Sequence, residues 1–169
     1  MERLADYWKL VPRLKIPPTY SVEGWSIGAN QTGFYIPELG IALDCGVVSE
    51  HSPDFIFITH GHMDHSGQLA KTIVDTGAKR PIIVVHKKLE DECRETIHHS
   101  YVLSTNNPRP KIHNKYTIIG VDPSDEAIEL TIRNKPWIVD IIKCNHTVPC
   151  IGYGFAEKRT HLKEKFADI

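Results

Sequence analysis

The stretch FITHGHMDHSGQL, residues 57–69, places three histidines and one aspartate within six positions, directly after an apolar run. These side chains are His60, His62, Asp64 and His65. Imidazoles and a carboxylate that leave water together cost several kcal/mol unless another group pairs with them. A divalent metal ion is a partner that satisfies all of them, so the stretch predicts a metal site.

The histidines follow a segment typical of a buried β-strand. DFIFIT, residues 54–59, is short and almost continuously apolar, like strands that are covered on both faces. His60 and His62 leave this strand as alternate residues and converge on one point, whereas Asp64 and His65 begin the next helix and turn toward a second point. The spacing therefore favours two ions, which lie about 3.5–4 Å apart when a hydroxide bridges them. Zinc suits these ligands, and so do manganese, iron and cobalt.

A further histidine ends a second apolar segment, WIVDIIKCNH, at His146. Two neighbouring strands that end at the same edge of one sheet would bring His146 beside His60 and His62. Three imidazoles with one open coordination position are typical of catalytic zinc sites. Cys144 and Cys150 flank His146, but their spacing fits no zinc-finger pattern, and we interpret them as buried structural thiols.

The other histidines are interpreted as ordinary surface or core residues, because a single histidine near a strand end is seldom a ligand. This group contains His51, His86, His113 and His161. His98 and His99 are adjacent on a predicted helix, point in different directions and are predicted to lie on the surface.

Composition places the chain among globular domains. Its 169 residues are 41% hydrophobic and 24% charged, enough for one domain with a core, and the net charge of −1 gives no overall attraction to nucleic acid or membranes. No apolar stretch approaches the roughly 20 residues that span a bilayer. The four scattered cysteines, without a signal peptide, predict reduced thiols in an intracellular, reducing compartment, with the cytoplasm favoured.

Short apolar runs alternate with turn signals along most of the chain, and two helical patterns interrupt them. This order predicts an α/β domain of sheets with helices packed outside. We expect residues 1–20, which contain Pro17 and Pro18, to form an irregular lead-in, and residues 21–169 to form the domain.

Several motifs together resemble one known family. THGHMDH resembles the HxHxDH motif of the metallo-β-lactamase fold, and GIALDCG, residues 40–46, resembles the short strand with Asp-x-Gly that lies beside that motif. NHTVPCIGYGF, residues 145–155, resembles the third-ligand motif of the RNase Z branch, endonucleases that trim the 3′ ends of tRNA precursors. The resemblance covers roughly residues 20–165.

The resemblance implies a metallo-β-lactamase-like αββα sandwich and an RNA substrate, a tRNA precursor. His60, His62 and His146 would hold one zinc ion, and Asp64 and His65 would contribute to a second; manganese is an alternative metal. A zinc-bound hydroxide would attack the phosphodiester, and Asp64 would orient the attacking water or accept its proton.

The family pattern continues beyond the GY motif with a bridging aspartate and further histidines, whereas this sequence ends at Ile169. We therefore expect the N-terminal portion of such a sandwich. Three explanations are open: a piece of a longer enzyme, a second chain (for example in a homodimer) that supplies the missing ligands, or lost phosphodiesterase activity on a retained scaffold. The alternative functions are a non-catalytic, metal-stabilised interaction module and a hydrolase of the same fold with another substrate.

Overall fold

A computed structural model describes residues 10–17, 19–75 and 79–159. Within these residues the chain forms ten β-strands and three α-helices. The strands are β1 (Arg13–Ile16), β2 (Tyr20–Ile27), β3 (Gln31–Ile36), β4 (Ile41–Leu43), β5 (Phe55–Phe57), β6 (Ile82–His86), β7 (Thr117–Val121), β8 (Ile128–Ile132), β9 (Lys135–Lys143) and β10 (Ile151–Glu157). The helices are α1 (Met63–Ser66), α2 (Leu69–Asp75) and α3 (Glu90–Thr105), and short 3₁₀ turns lie at Lys87–Leu89 and Ile112–Lys115.

The larger sheet contains seven strands in sequence order, β1 to β7. The pairs from β1 to β4 are antiparallel, and those from β4 to β7 are parallel. Parallel strands are covered on both faces, which explains the unbroken apolar run of β5, where all three residues are buried. The carboxyl ends of β4, β5, β6 and β7 therefore lie along one edge of this sheet.

The helices cover one face of the larger sheet. Ile56 and Ile83 point toward this face and pack with Leu69 and Ile73 of α2 and with Ile97 of α3. These five side chains are at most 2% exposed, and burial of such a side chain stabilises the fold by about 1.5–3 kcal/mol.

The smaller sheet covers the opposite face. It consists of β8, β9 and β10 in antiparallel order β10-β9-β8. Phe57 and Val84 of the larger sheet share one apolar cluster with Trp137, Val139 and Ile151 of the smaller sheet. Alternation along β5 and β6 thus produces three layers: helices, the larger sheet and the smaller sheet.

A half-buried tyrosine connects the two sheets close to the end of β5. The hydroxyl of Tyr153 in β10 lies 2.7 Å from the carbonyl oxygen of Ile58 and 3.0 Å from that of Val84. Burial raises the pKa of Tyr153 well above its usual value, so the group remains a hydrogen-bond donor. The GY motif therefore fixes the smaller sheet against the strand end that carries the histidines.

Replacing Tyr153 by phenylalanine is expected to lower the free energy of unfolding by about 1–3 kcal/mol, because the buried carbonyl oxygens lose a donor while the ring packing is retained. The urea midpoint measures this change. Tyr101→Phe is a matched control, since no described residue hydrogen-bonds the Tyr101 hydroxyl. Equal midpoints for the two variants would contradict a linking role for Tyr153.

The structure differs from the sequence-based expectation at two segments. Strand β1 lies at Arg13–Ile16, inside the segment expected to be irregular, because residues 13–16 pair in register with the start of β2. The helical spacing of Leu69, Ile73 and Val74 predicts one helix over residues 66–76, whereas the structure begins α2 only at Leu69 and forms the separate short helix α1 before it. The sequence of residues 159–167 also has the character of a helix, but apart from Arg159 these residues lie outside the described part of the chain.

None of the helices in the described part of the chain combines the length and apolarity needed to cross a lipid bilayer.

Candidate metal centre

The loop after β5 is held against the hairpin between β9 and β10. His60 forms an isolated antiparallel bridge with Cys150, and the backbone N–H of Ile151 donates to the carbonyl oxygen of Thr59 at 2.9 Å. His146 lies in the loop of that hairpin. The expectation of two neighbouring strands in one sheet is therefore wrong, because β5 belongs to the larger sheet and β9 to the smaller one. The histidines meet where the two sheets come together.

His60, His62 and His146 form one cluster. Each offers a ring nitrogen, and these nitrogens lie within 4.8 Å of one another. The ring centroid of His60 lies 4.9 Å from that of His62 and 4.4 Å from that of His146. Among the described residues this is the only group of three or more histidine, cysteine or acidic side chains close enough to share an ion.

The electrostatic environment keeps His60 neutral. His60 is 5% exposed, and burial together with the neighbouring His65, His146 and His62 lowers its pKa to about 4. A neutral imidazole is the form that donates a lone pair to a metal ion. The donor chemistry of the cluster therefore fits a divalent ion of the zinc type, with an open position for water or substrate.

A buried aspartate, Asp44, organises the histidines from behind. It is 7% exposed, and its Oδ1 accepts from the Thr59 backbone N–H at 2.8 Å and from the Thr59 hydroxyl at 3.0 Å. Its Oδ2 lies 2.8 Å from Nδ1 of His65. Burial raises the pKa of Asp44, while the hydrogen bonds from Thr59 and His65 act in the opposite direction.

This network selects the tautomers of two histidines. The Thr59 hydroxyl donates to Asp44, so it accepts from Nδ1–H of His60, 2.9 Å away. His65 donates its own Nδ1–H to Asp44. In both neutral rings Nε2 therefore keeps its lone pair, which is the arrangement that metal-binding histidines use.

Asp64 and His65 form a second, smaller set of ligand atoms. Oδ2 of Asp64 accepts from the backbone N–H of Ala29 at 3.0 Å and lies 3.5 Å from Nε2 of His65. Two lone-pair atoms that face each other at this distance suit a cation between them. Among the described residues, no third histidine, cysteine or acidic side chain lies close enough to share an ion with Asp64 and His65.

His146 differs from the other cluster members. It is exposed, and the backbone N–H of Thr147 donates to its Nδ1 at 2.8 Å. In a neutral ring this contact places the proton on Nε2. His146 is thus the cluster residue whose hydrogen bonding must change if Nε2 is to bind a metal.

The turn that carries Asp44 depends on Gly46. Asp44 adopts φ 60°, which aspartate tolerates, and the backbone N–H of Cys45 donates to the carbonyl oxygen of His65 at 2.6 Å. A Cβ atom at Gly46 would lie 1.6 Å from the carbonyl oxygen of Asp64. The Asp-x-Gly segment therefore packs its backbone directly against the start of α1.

The two sets of ligands open into one cavity of about 560 Å³. Its lining consists of Gly28, Ala29, His60, His62, Met63, Asp64, His65 and His146. All five residues that the sequence predicted as metal ligands therefore border the same solvent-accessible space.

Sequence comparisons identify relatives of this chain. It is 32% identical over 166 residues to nuclear ribonuclease Z of Triticum aestivum, a match that covers 95% of this chain and 88% of that protein. The chain belongs to the ribonuclease Z family. It is also 31% identical to tRNase Z TRZ1 of Arabidopsis thaliana over 155 residues, which cover 89% of this chain and 52% of TRZ1. No family model matches the sequence.

Structure comparisons confirm the metallo-β-lactamase fold for this ribonuclease Z family member. The short form of human tRNase Z superposes with a TM-score of 0.50 at 18% identity, covering 88% of this chain and 62% of that one. The metallo-β-lactamase fold protein YhfI of Bacillus subtilis gives a TM-score of 0.50 at 17% identity, covering 78% and 52%. The chain thus spans about half the length of TRZ1 and of YhfI.

Two residues that support the histidine cluster were not identified from the sequence. Asp44 was noticed only as part of the Asp-x-Gly motif, and Thr59 only as the end of a strand. The available signal was a carboxylate at the end of β4 and a hydroxyl at the end of its parallel neighbour β5, since such ends share one sheet edge.

The thiols that flank His146 are not buried, contrary to the prediction. Cys144 is exposed and Cys150 is half-buried, because both lie at the open mouth of the β9–β10 hairpin. Cys144 donates its backbone N–H to the Cys150 carbonyl oxygen at 3.3 Å.

The remaining histidines within the described residues lie outside the cluster. His51 contacts a carboxylate oxygen of Glu23 at 3.1 Å, and His86 is buried. On α3, His98 is half-buried and His99 is exposed, and their ring planes lie at 77° to each other. His161 lies outside the described residues.

Proposed function

We propose that this protein is a metal-dependent endoribonuclease that cleaves a phosphodiester at the 3′ end of tRNA precursors. The convergence of His60, His62 and His146 from two sheets carries the proposal. It is supported by relatives that are named ribonuclease Z and tRNase Z.

In this proposal His60, His62 and His146 hold one zinc ion, and Asp64 with His65 contributes to a second. Manganese is the alternative metal. A divalent ion bound there lowers the pKa of a coordinated water and stabilises negative charge on the phosphate oxygens.

The chain's own residues supply orientation and proton transfer. Asp44 holds His65 directly and His60 through Thr59, so both rings keep their direction during a reaction. Asp64 is anchored by the Ala29 backbone N–H and accepts the proton of the attacking water. The open cavity admits an extended RNA strand, because it is not enclosed by described residues.

Metal counting and an RNA cleavage assay test the proposal together. We expect the purified chain to contain zinc by elemental analysis and to release the 3′ trailer of a precursor tRNA, with cleavage lost after chelation and restored by zinc or manganese. A chain that holds zinc, hydrolyses a small phosphodiester and leaves precursor tRNA intact would contradict the RNA substrate. A chain without bound metal would contradict the metal centre itself.

A non-catalytic, metal-stabilised interaction module is the second candidate. It is favoured by the incomplete Asp64–His65 set among the described residues. This candidate predicts at most one ion per chain and a melting temperature that falls with chelator, without turnover of any phosphodiester.

The remaining assignments are part of the same proposal. The domain is proposed to extend over residues 21–169, with strand β1 (Arg13–Ile16) added to its larger sheet. RNA is the partner, and a homodimer is one source of further ligands. The cytoplasm is the proposed compartment, although the wheat relative is named as a nuclear enzyme. Fluorescent tagging and ultracentrifugation test the compartment and the oligomeric state.

A further inference from the structure

A second open cleft, which we call the lysine groove, adjoins the metal centre. Its volume is about 570 Å³, and its lining includes His86, Lys88, Asp122, Ser124, Lys143 and Cys150. His146 borders both this groove and the cavity of the metal centre. The two cavities therefore adjoin at His146.

The groove follows the carboxyl ends of parallel strands. His60 follows β5, His86 is the last residue of β6, and Asp122 directly follows β7. Ligands of open α/β sheets bind outside this edge. Because neighbouring strands are about 4.8 Å apart, the end of β7 lies roughly 10 Å from the end of β5.

The groove is positively charged although the whole chain carries −1. Lys88 and Lys143 are exposed, and no described carboxylate lies within ion-pair distance of either. The one carboxylate of the described lining, Asp122, is paired with Nζ of Lys87 at 3.1 Å and accepts from the Ser124 hydroxyl at 2.7 Å. Two uncompensated ammonium groups therefore face the solvent of the groove.

A buried histidine adds a directed donor. His86 is 7% exposed, and its Nδ1 accepts from the backbone N–H of Lys88 at 3.1 Å. In the neutral ring this places the proton on Nε2, and no described residue accepts from that atom. Nε2 of His86 is not among the buried side-chain atoms without a partner in the described residues, so its N–H is open to the solvent of the groove and available to an acceptor on a ligand.

We propose that the lysine groove binds the phosphate backbone of the RNA nucleotides beside the scissile phosphodiester. This inference rests on the proposed function. Phosphodiester oxygens accept from ammonium groups and from an imidazole N–H, which are the donors that Lys88, Lys143 and His86 present. Donors on separate segments of the lining and the shared border with the metal centre at His146 favour a polynucleotide over a small free anion.

The test is a double substitution, Lys88→Ala with Lys143→Ala, compared with Lys15→Ala with Lys111→Ala. The control pair removes the same charge from exposed lysines that do not line the groove. Binding of fluorescent precursor tRNA is measured by anisotropy between low and physiological salt. For the groove variant, we expect the plot of log binding constant against log salt concentration to be less steep by about 1.4, because two contacts to single-strand phosphates are lost. We also expect its KM for RNA to rise several-fold with kcat nearly retained.

If the two double variants have the same salt-dependence slope for tRNA binding and the same KM, the groove proposal is overturned. Replacement of both groove lysines by arginine is expected to retain the salt-dependence slope, because the proposal requires only positive charge at these positions. A reduced slope in the arginine variant would also overturn the proposal. Zinc content verifies that each variant is folded around its metal. The proposed function is tested separately with the unaltered chain and bis(4-nitrophenyl) phosphate as substrate. This small phosphodiester does not reach the groove, so its hydrolysis reports on the metal centre alone.

Discussion

Replacing His62 by alanine is expected to remove the tightly bound metal and, with it, phosphodiester hydrolysis. His62 supplies one of only three imidazoles in the cluster, and two remaining ligands do not hold an ion firmly. The loss in affinity should exceed the roughly 10–100-fold that follows loss of an outer-shell partner. Elemental analysis after dialysis and a cleavage assay measure both effects.

His62 is the informative choice because its side chain is only half-buried. Removing it should leave the unfolding midpoint of the metal-free protein nearly unchanged, whereas His60 is buried and its loss would also create a cavity. His98→Ala is the control, since His98 lies on α3, away from the cluster. Full metal content and hydrolysis in the His62 variant would show that the centre is elsewhere.

The local part of the site was predictable from sequence, because it depends on spacing along the chain. His60, His62, Asp64 and His65 follow one buried strand within six positions, and the structure brings all of them to one cavity. His146 also lies in the cluster with His60 and His62, although the geometric reason given for it was wrong. The apolar runs before His60 and His146 identify strands, yet such runs do not reveal which sheet each strand joins.

The supporting residues depend on pairing between distant strands, which the sequence does not display. Asp44 and Thr59 are 15 positions apart and meet only because β4 and β5 pair in parallel. The same limit explains β1, whose pairing with β2 overrides the irregular character that the neighbouring prolines suggested. It also explains the lysine groove, since Lys88 and Lys143 come together only when the two sheets pack.

Replacing Asp44 by asparagine is expected to weaken metal binding about 10–100-fold, as loss of an outer-shell hydrogen-bond partner does. The asparagine oxygen can still accept from Thr59, but its amide group then faces Nδ1–H of His65, and two donors cannot share one hydrogen bond. His65 must therefore move its proton to Nε2 or turn away from Asp64. Competition with a chromogenic zinc chelator measures the change in affinity.

The same substitution separates a supporting role from a purely structural one. In metal-free protein the lost contact should reduce the free energy of unfolding by about 1–3 kcal/mol, because the site is buried. Asp54→Asn is the matched control: its ion pairs with Lys79 and Arg133 are partly exposed, so it should cost less than about 1 kcal/mol and leave zinc affinity unchanged. If Asp44→Asn lowers stability while zinc affinity equals that of the control, Asp44 supports the turn alone. If both fall, the carboxylate behind His65 and Thr59 is what holds the metal-binding rings in their tautomers.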